Sequence, residues 1–105
     1  MTEDEIIKGI QQPGRFDATV ESEADARRIV RTALPYALEL PRAVAGQPYP
    51  TPAKGVRAWF QAHPSEPEVG NSLPHVKYSD WTRGKKGCGG SWGHICYPAS
   101  TSSGE

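Results

Sequence analysis

The chain has 105 residues, 36% of them hydrophobic, a mean hydropathy of -0.61 and zero formal net charge, which fits one domain with a thin core and leaves no room for two. No apolar run approaches the roughly 18 residues a membrane span needs, and the acidic start Met1-Thr2-Glu3-Asp4-Glu5 is the reverse of a basic leader, so a cytoplasmic protein with no membrane partner is expected. Two cysteines, Cys88 and Cys96, exclude a disulfide framework and point to free or metal-bound thiols, with a lone bridge as the alternative for an exported chain.

The neutral total hides an asymmetry. Glu3, Asp4, Glu5, Asp17, Glu21, Glu23 and Asp25 face only Lys8 and Arg15 in the first 25 residues, whereas bases outnumber acids from Ala26 onward. A basic body with an acidic arm suits a polyanionic partner, for which the arm can compete.

Thr2 with Glu5 makes a capping box, and Ile6, Ile7 and Ile10 form an apolar stripe before Pro13-Gly14, which predicts a short first helix. Ser22 with Asp25 opens a second. Ala26, Ile29, Val30, Ala33 and Leu34 share its inner face until Pro35 stops it, and Arg27, Arg28 and Arg31 fall on its solvated side. The prolines crowded between Pro35 and Pro74 exclude a long helix, and Pro48-Tyr49-Pro50-Thr51-Pro52 predicts an extended surface strap. Two runs within this region read as strands, Tyr36 to Leu40 and Val56 to Ala62.

The next runs, His75 to Ser79 and Ser91 to Tyr97, flank a turn-rich segment with Arg83, Gly84, Lys85, Lys86, Gly87, Cys88, Gly89 and Gly90, and read as a basic hairpin over 75–97. A loop centred near Lys85-Lys86 sets Lys77 opposite His94, His75 opposite Cys96 and Ser79 opposite Trp92. The expected fold is α+β: two N-terminal helices packed on a small antiparallel sheet of about four strands. The domain would cover 1–98, with 99–105 a disordered tail.

That register places His75, Lys77 and His94 on one face, the residue types that cleave RNA without a metal or other cofactor. A neutral histidine takes the proton of the ribose 2′-hydroxyl, a protonated one gives a proton to the 5′ leaving oxygen, and lysine stabilises the phosphorane charge. Arg83, Lys85 and Lys86 are candidate phosphate ligands beside glycines that let backbone amides approach closely, and Trp81, Trp92, Tyr78 and Tyr97 are candidate platforms for a base. His63, between Gln61 and Pro64, reads as an ordinary loop-entry histidine. The alternative chemistry is a structural zinc on His75, Cys88, His94 and Cys96, although no Cys-x2-Cys or His-x3-His unit supports it.

Two helices, a proline-rich crossover, then short strands carrying His75, Lys77, Lys85, Lys86, Ser91 and His94 form an order that resembles the barnase–EndoU–colicin–RelE class of small bacterial ribonuclease toxin domains. The resemblance implies metal-independent cleavage of RNA on the sheet, with His75 and His94 as acid and base, Lys77 as charge stabiliser and Ser91 or Lys86 as an auxiliary phosphate ligand, delivery into a target cell as part of a toxin system, and a neutralising immunity or antitoxin protein as partner. Two rival functions remain: a nucleic-acid-binding module without catalysis, and a protein-interaction module or modified precursor peptide, suggested by the proline-rich middle and the Cys, Ser and Thr residues near the end.

Overall fold

Both helices begin at the capping residues the sequence supplies. The structure, a computed structural model, describes residues 1–99; the tail expected from 99 lies, beyond that residue, outside the described residues. Helix α1 spans Glu3–Gln11 behind Thr2, whose hydroxyl accepts from the Glu5 amide while the Glu5 carboxylate accepts from the Thr2 amide. Helix α2 spans Glu23–Ala33 behind Ser22, which accepts from the Asp25 amide. Each cap satisfies a backbone donor that has no partner within the helix, worth about 1 kcal/mol.

The sheet has six strands and is mixed, where an antiparallel one of about four was expected. Strands β1 (Gly14–Arg15) and β2 (Ala18–Thr19) precede α2, and β3 (Leu38–Glu39) follows it. Then come β4 (Ala58–His63), a single 3-10 turn at Pro67–Val69, β5 (His75–Asp80) and β6 (Ser91–Cys96). β4, β5 and β6 form the antiparallel centre, and the register matches the expectation: Lys77 pairs with His94, His75 with Cys96 and Ser79 with Trp92. The extra strands are two-residue edges. β1 and β2 run parallel to β6, β3 runs parallel to β4, and α2 carries the chain across one face from edge to edge. A parallel return needs such a crossover. The strand expected over Tyr36 to Leu40 shrinks to Leu38–Glu39 and leaves Tyr36 outside it.

β1 and β2 share a single register on β6, Gly14 opposite Ser91 and Ala18 opposite Ile95. The strand breaks only at Phe16 and Asp17. There the Tyr78 hydroxyl donates to the Phe16 carbonyl at 3.0 Å. Gly93 makes this crossing possible, since a Cβ on it would lie 1.7 Å from that carbonyl oxygen.

One side of the sheet packs on the helices. Ile6, Ile10, Ile29, Val30 and Leu34 meet Phe60, Val76, Tyr78 and Ile95 there, all buried, and full burial of each such aliphatic side chain is worth about 2 kcal/mol. Strand alternation sends the intervening residues to the other face: Trp59, Gln61 and His63 from β4, His75, Lys77 and Ser79 from β5, Trp92, His94 and Cys96 from β6. No helix among the described residues is long and apolar enough to cross a membrane.

Candidate active site on the open sheet face

Three histidines lie in a row across the helix-free face. His63 pairs directly with His75 across β4 and β5, and His94 stands on the next strand. Ring centroids are 5.3 Å apart for His63 and His75, and 5.0 Å for His75 and His94, the latter edge to face. At the other end of the face a tryptophan row runs parallel to the histidines. Trp59 and Trp81 centroids are 6.5 Å apart, Trp81 and Trp92 6.0 Å, and all three rings are partly exposed. Lys77 lies between the rows, exposed and opposite His94.

His94 is oriented from behind by Asp17. One oxygen of that carboxylate accepts from the His94 amide at 3.0 Å and lies 3.4 Å from the ring Nδ1. With Nδ1–H facing the carboxylate, Nε2 keeps its lone pair. Burial, followed by the repulsion a cationic His75 would add, lowers the His94 pKa; Asp17 opposes both but does not cancel them. A neutral, oriented imidazole is the protonation state a general base needs.

His75 sits differently from the expectation. It is only 1% exposed, and its Nδ1 lies 2.9 Å from the Leu73 carbonyl oxygen. Its Nε2 points at Glu66, 3.3 Å from one carboxylate oxygen, and His63 Nδ1 lies 3.5 Å from the other. Glu66 follows β4 in a turn closed by its bridge to Asn71. Its carboxylate accepts from the Tyr49 hydroxyl at 2.8 Å and from the Asn71 side chain. Burial would raise the Glu66 pKa, but these hydrogen bonds and the neighbouring histidines hold it below the usual glutamate value. Burial lowers the His63 pKa against the attraction of Glu66.

The proline strap roofs this end of the face. Gln61 donates through its amide nitrogen to the Pro41 carbonyl at 2.9 Å and to the Pro50 carbonyl at 3.0 Å. Tyr49 rests edge-on against His63, with centroids 4.9 Å apart. A cleft of about 260 Å³ remains between strap and sheet, lined by residues that include Trp59, His63, Lys77 and Ser79.

Not every expected contact reaches the open face. The Ser91 hydroxyl donates to the Gln12 carbonyl on the helix side, so it is not placed to hold phosphate. Tyr78 is wholly buried beneath Phe16, and Tyr97 is buried with its hydroxyl donating to Glu23, so neither offers a face to a base. Gly84 and Gly89 serve the loop itself, because a Cβ on Gly84 would lie 1.8 Å from the Cys88 carbonyl oxygen and one on Gly89 2.5 Å from that of Arg83. Arg83, Lys85 and Lys86 are all exposed, and Lys86 Nζ lies 5.2 Å from the centroid of the Trp92 ring.

The arginines of α2 are engaged within the chain. Arg27 and Arg31 pair with Glu39, and Arg28 with Glu3. Arg42 pairs with Glu23. Among the described residues, by contrast, Lys8, Lys54, Arg57, Lys77, Arg83, Lys85 and Lys86 have no acidic partner in an ion pair, so all the unpaired positive charge but that of Lys8 lies in the C-terminal half.

The four-ligand zinc alternative is not assembled. Cys88 is an exposed free thiol, and burial, then Asp17, raises the pKa of the free Cys96. Among the described residues, the donors gathered within 4.8 Å of one another belong to His63, Glu66 and His75. Asp17, Tyr49 and Glu66 stand against the histidine row without having been expected there, and His63 belongs to the row and not to a loop entry. Only His63 carried a usable signal, since it continues the Trp59, Gln61 alternation by one step.

No protein-family model, curated protein or solved structure matches the chain.

Proposed function

We propose that the chain is an endoribonuclease of the small bacterial toxin type, cleaving RNA on the open sheet face and restrained by a neutralising protein. The observation that carries this reading is the pairing of His94 with Lys77, one a neutral imidazole backed by Asp17 and the other an exposed ammonium. His94 Nε2 takes the proton of a ribose 2′-hydroxyl. The freed oxygen attacks the adjacent phosphorus, the bond from phosphorus to the 5′ oxygen breaks, and that oxygen takes a proton from water. The products are a 2′,3′-cyclic phosphate and a 5′-hydroxyl end, with no redox change. Lys77 stabilises the charge on the phosphorane.

His75, buried and held through Nδ1 by the Leu73 carbonyl, supports the His94 ring and does not touch RNA. The second proton-transfer role expected for it therefore passes to solvent. Trp59, Trp81 and Trp92 offer stacking faces for unpaired bases, and Arg83, Lys85 and Lys86 attract the backbone. The test is cleavage of total RNA and tRNA by the wild type and by His94→Ala, with the fold of the variant checked by circular dichroism. Loss of about 100-fold or more is expected. Undiminished cleavage by a folded variant overturns the reading.

A second reading is favoured by the tryptophan row with Lys86 seated on Trp92: a single-strand-binding module without catalysis. It predicts RNA affinity that survives His94→Ala with no cleavage by the wild type at protein well above RNA.

A further inference from the structure

We propose that His63 Nδ1, His75 Nε2 and the Glu66 carboxylate bind a divalent transition-metal ion, zinc foremost, as a structural clamp beneath the strap. The inference is independent of whether the chain cleaves RNA.

Hydrogen bonding fixes both tautomers. The Gln61 amide nitrogen donates to two carbonyls, Pro41 and Pro50, so its oxygen must face His63 Nε2, 2.8 Å away. That oxygen can only accept, so the His63 hydrogen sits on Nε2 and the lone pair on Nδ1. The Leu73 carbonyl likewise accepts from His75 Nδ1, which leaves the lone pair on Nε2. Both lone pairs point at the Glu66 carboxylate, and these two nitrogens are the buried side-chain atoms without a hydrogen-bond partner among the described residues. His75 is 1% exposed and His63 7%.

Three acceptors facing one another repel unless a cation or a proton lies among them, and a single metal ion would satisfy all three at once. Tetrahedral zinc with nitrogen and oxygen ligands needs donors about 3.3 Å apart. His75 Nε2 lies 3.3 Å from one Glu66 oxygen and His63 Nδ1 3.5 Å from the other, and one donor atom from each of the three residues lies within 4.8 Å of the others. The outer shell also has the form metal sites use. Each ligating histidine donates its other N–H to a carbonyl-type oxygen, and the carboxylate is itself hydrogen-bonded, here by Tyr49 and Asn71. Two histidines and one carboxylate are borderline ligands that suit zinc better than calcium or magnesium.

The clamp would join the end of β4, the turn at 66–71 and the start of β5, and through Tyr49 the strap as well. It lies behind His94, so its work is to hold the His75 ring against that residue.

The test is metal uptake by the purified full chain without RNA. After removal of metal, zinc or cobalt(II) is added to wild type, Glu66→Gln, His63→Ala, His94→Ala and Cys96→Ser, reading stoichiometry, melting temperature and the cobalt visible spectrum. One equivalent per chain is expected, with a rise of several degrees in Tm and a tetrahedral cobalt spectrum lacking thiolate charge transfer. Glu66→Gln should weaken binding at least about 10-fold, and His94→Ala and Cys96→Ser should keep it. No saturable uptake by wild type, thiolate bands, or uptake unchanged in Glu66→Gln overturns the proposal. If His63→Ala does not fold, the wild-type spectrum and Glu66→Gln decide. Because no arm measures cleavage, failure here leaves the ribonuclease reading standing, and failure of cleavage leaves the metal site standing.

Discussion

Asp17 holds His94 at two points, its backbone amide at 3.0 Å and its ring Nδ1 at 3.4 Å, through a single carboxylate oxygen. The contact spans 77 positions of sequence and exists because β1 and β2 lie along β6 with a break at Phe16 and Asp17. In the gap a side-chain oxygen takes the place of a backbone acceptor. Asp17→Ala should therefore lower kcat for RNA cleavage by about 10- to 100-fold with little change in KM, since orientation and proton affinity are lost while the RNA-binding surface is intact. Asp17→Asn, which keeps an acceptor but not the charge, should fall between the two. Steady-state kinetics on a short RNA checks this, and an unchanged kcat in Asp17→Ala would remove Asp17 from the mechanism.

The proposed RNA cleavage assigns the cations of the 81–90 loop a separate, measurable role. Replacing both Lys85 and Lys86 by alanine should weaken RNA binding at every sequence alike and reduce the slope of log affinity against log salt by about 1 to 2. Fluorescence anisotropy across a salt series reads this directly. A slope unchanged by the double substitution would mean that the backbone contacts lie elsewhere.

Gly93 is a stability prediction. Its Cβ would overlap the Phe16 carbonyl oxygen and crowd the Tyr78 hydroxyl, 3.0 Å away, so Gly93→Ala must push the β1–β2 edge off β6. A loss of about 2 to 3 kcal/mol is expected, typical of forced overpacking in a closed site. Urea unfolding measures it, and a variant as stable as wild type would show that this edge yields freely.

Asp80 gives a pH-dependent term. It is 5% exposed and accepts from the Thr82 amide at 3.0 Å, the Thr82 hydroxyl at 2.6 Å and the Tyr36 hydroxyl at 2.5 Å. Burial raises its pKa, but the hydrogen bonds from Thr82 and Tyr36 outweigh burial and leave it lowered. The folded pKa is thus below the unfolded value near about 3.9. Its stabilisation is complete above that value and is lost as pH falls through the folded pKa. Asp80→Asn should cost about 1 to 3 kcal/mol at neutral pH, and the gap to wild type should narrow only as pH falls below about 4 toward the lowered folded pKa. A constant gap would contradict this role.

The sequence carried the central hairpin well because alternation and a glycine-rich loop confine the register, and His94, Lys77 and Trp92 land where that register puts them. Both helices were legible from their caps. The parallel edges were not, since Gly14–Arg15 and Ala18–Thr19 are too short to show any period and are held by β6 and by Tyr78, which are distant in sequence. The same distance hid Asp17. Glu66 was hidden by its place in a proline-flanked loop, where no periodicity shows that it folds back onto His63 and His75. Ser91 was misplaced for a simpler reason: alternation along β6 sends it with Gly93 and Ile95 to the helix side, away from Trp92 and His94.

The most direct measurement is cleavage of one RNA oligonucleotide and its all-deoxy counterpart by the wild-type chain and by His94→Ala, with product ends read by mass spectrometry. The proposed chemistry predicts that only the RNA is cut, that its fragments carry 2′,3′-cyclic phosphate and 5′-hydroxyl ends, and that His94→Ala leaves it whole. Cutting of the deoxy strand, 5′-phosphate ends, or cleavage by folded His94→Ala at the wild-type rate would contradict it.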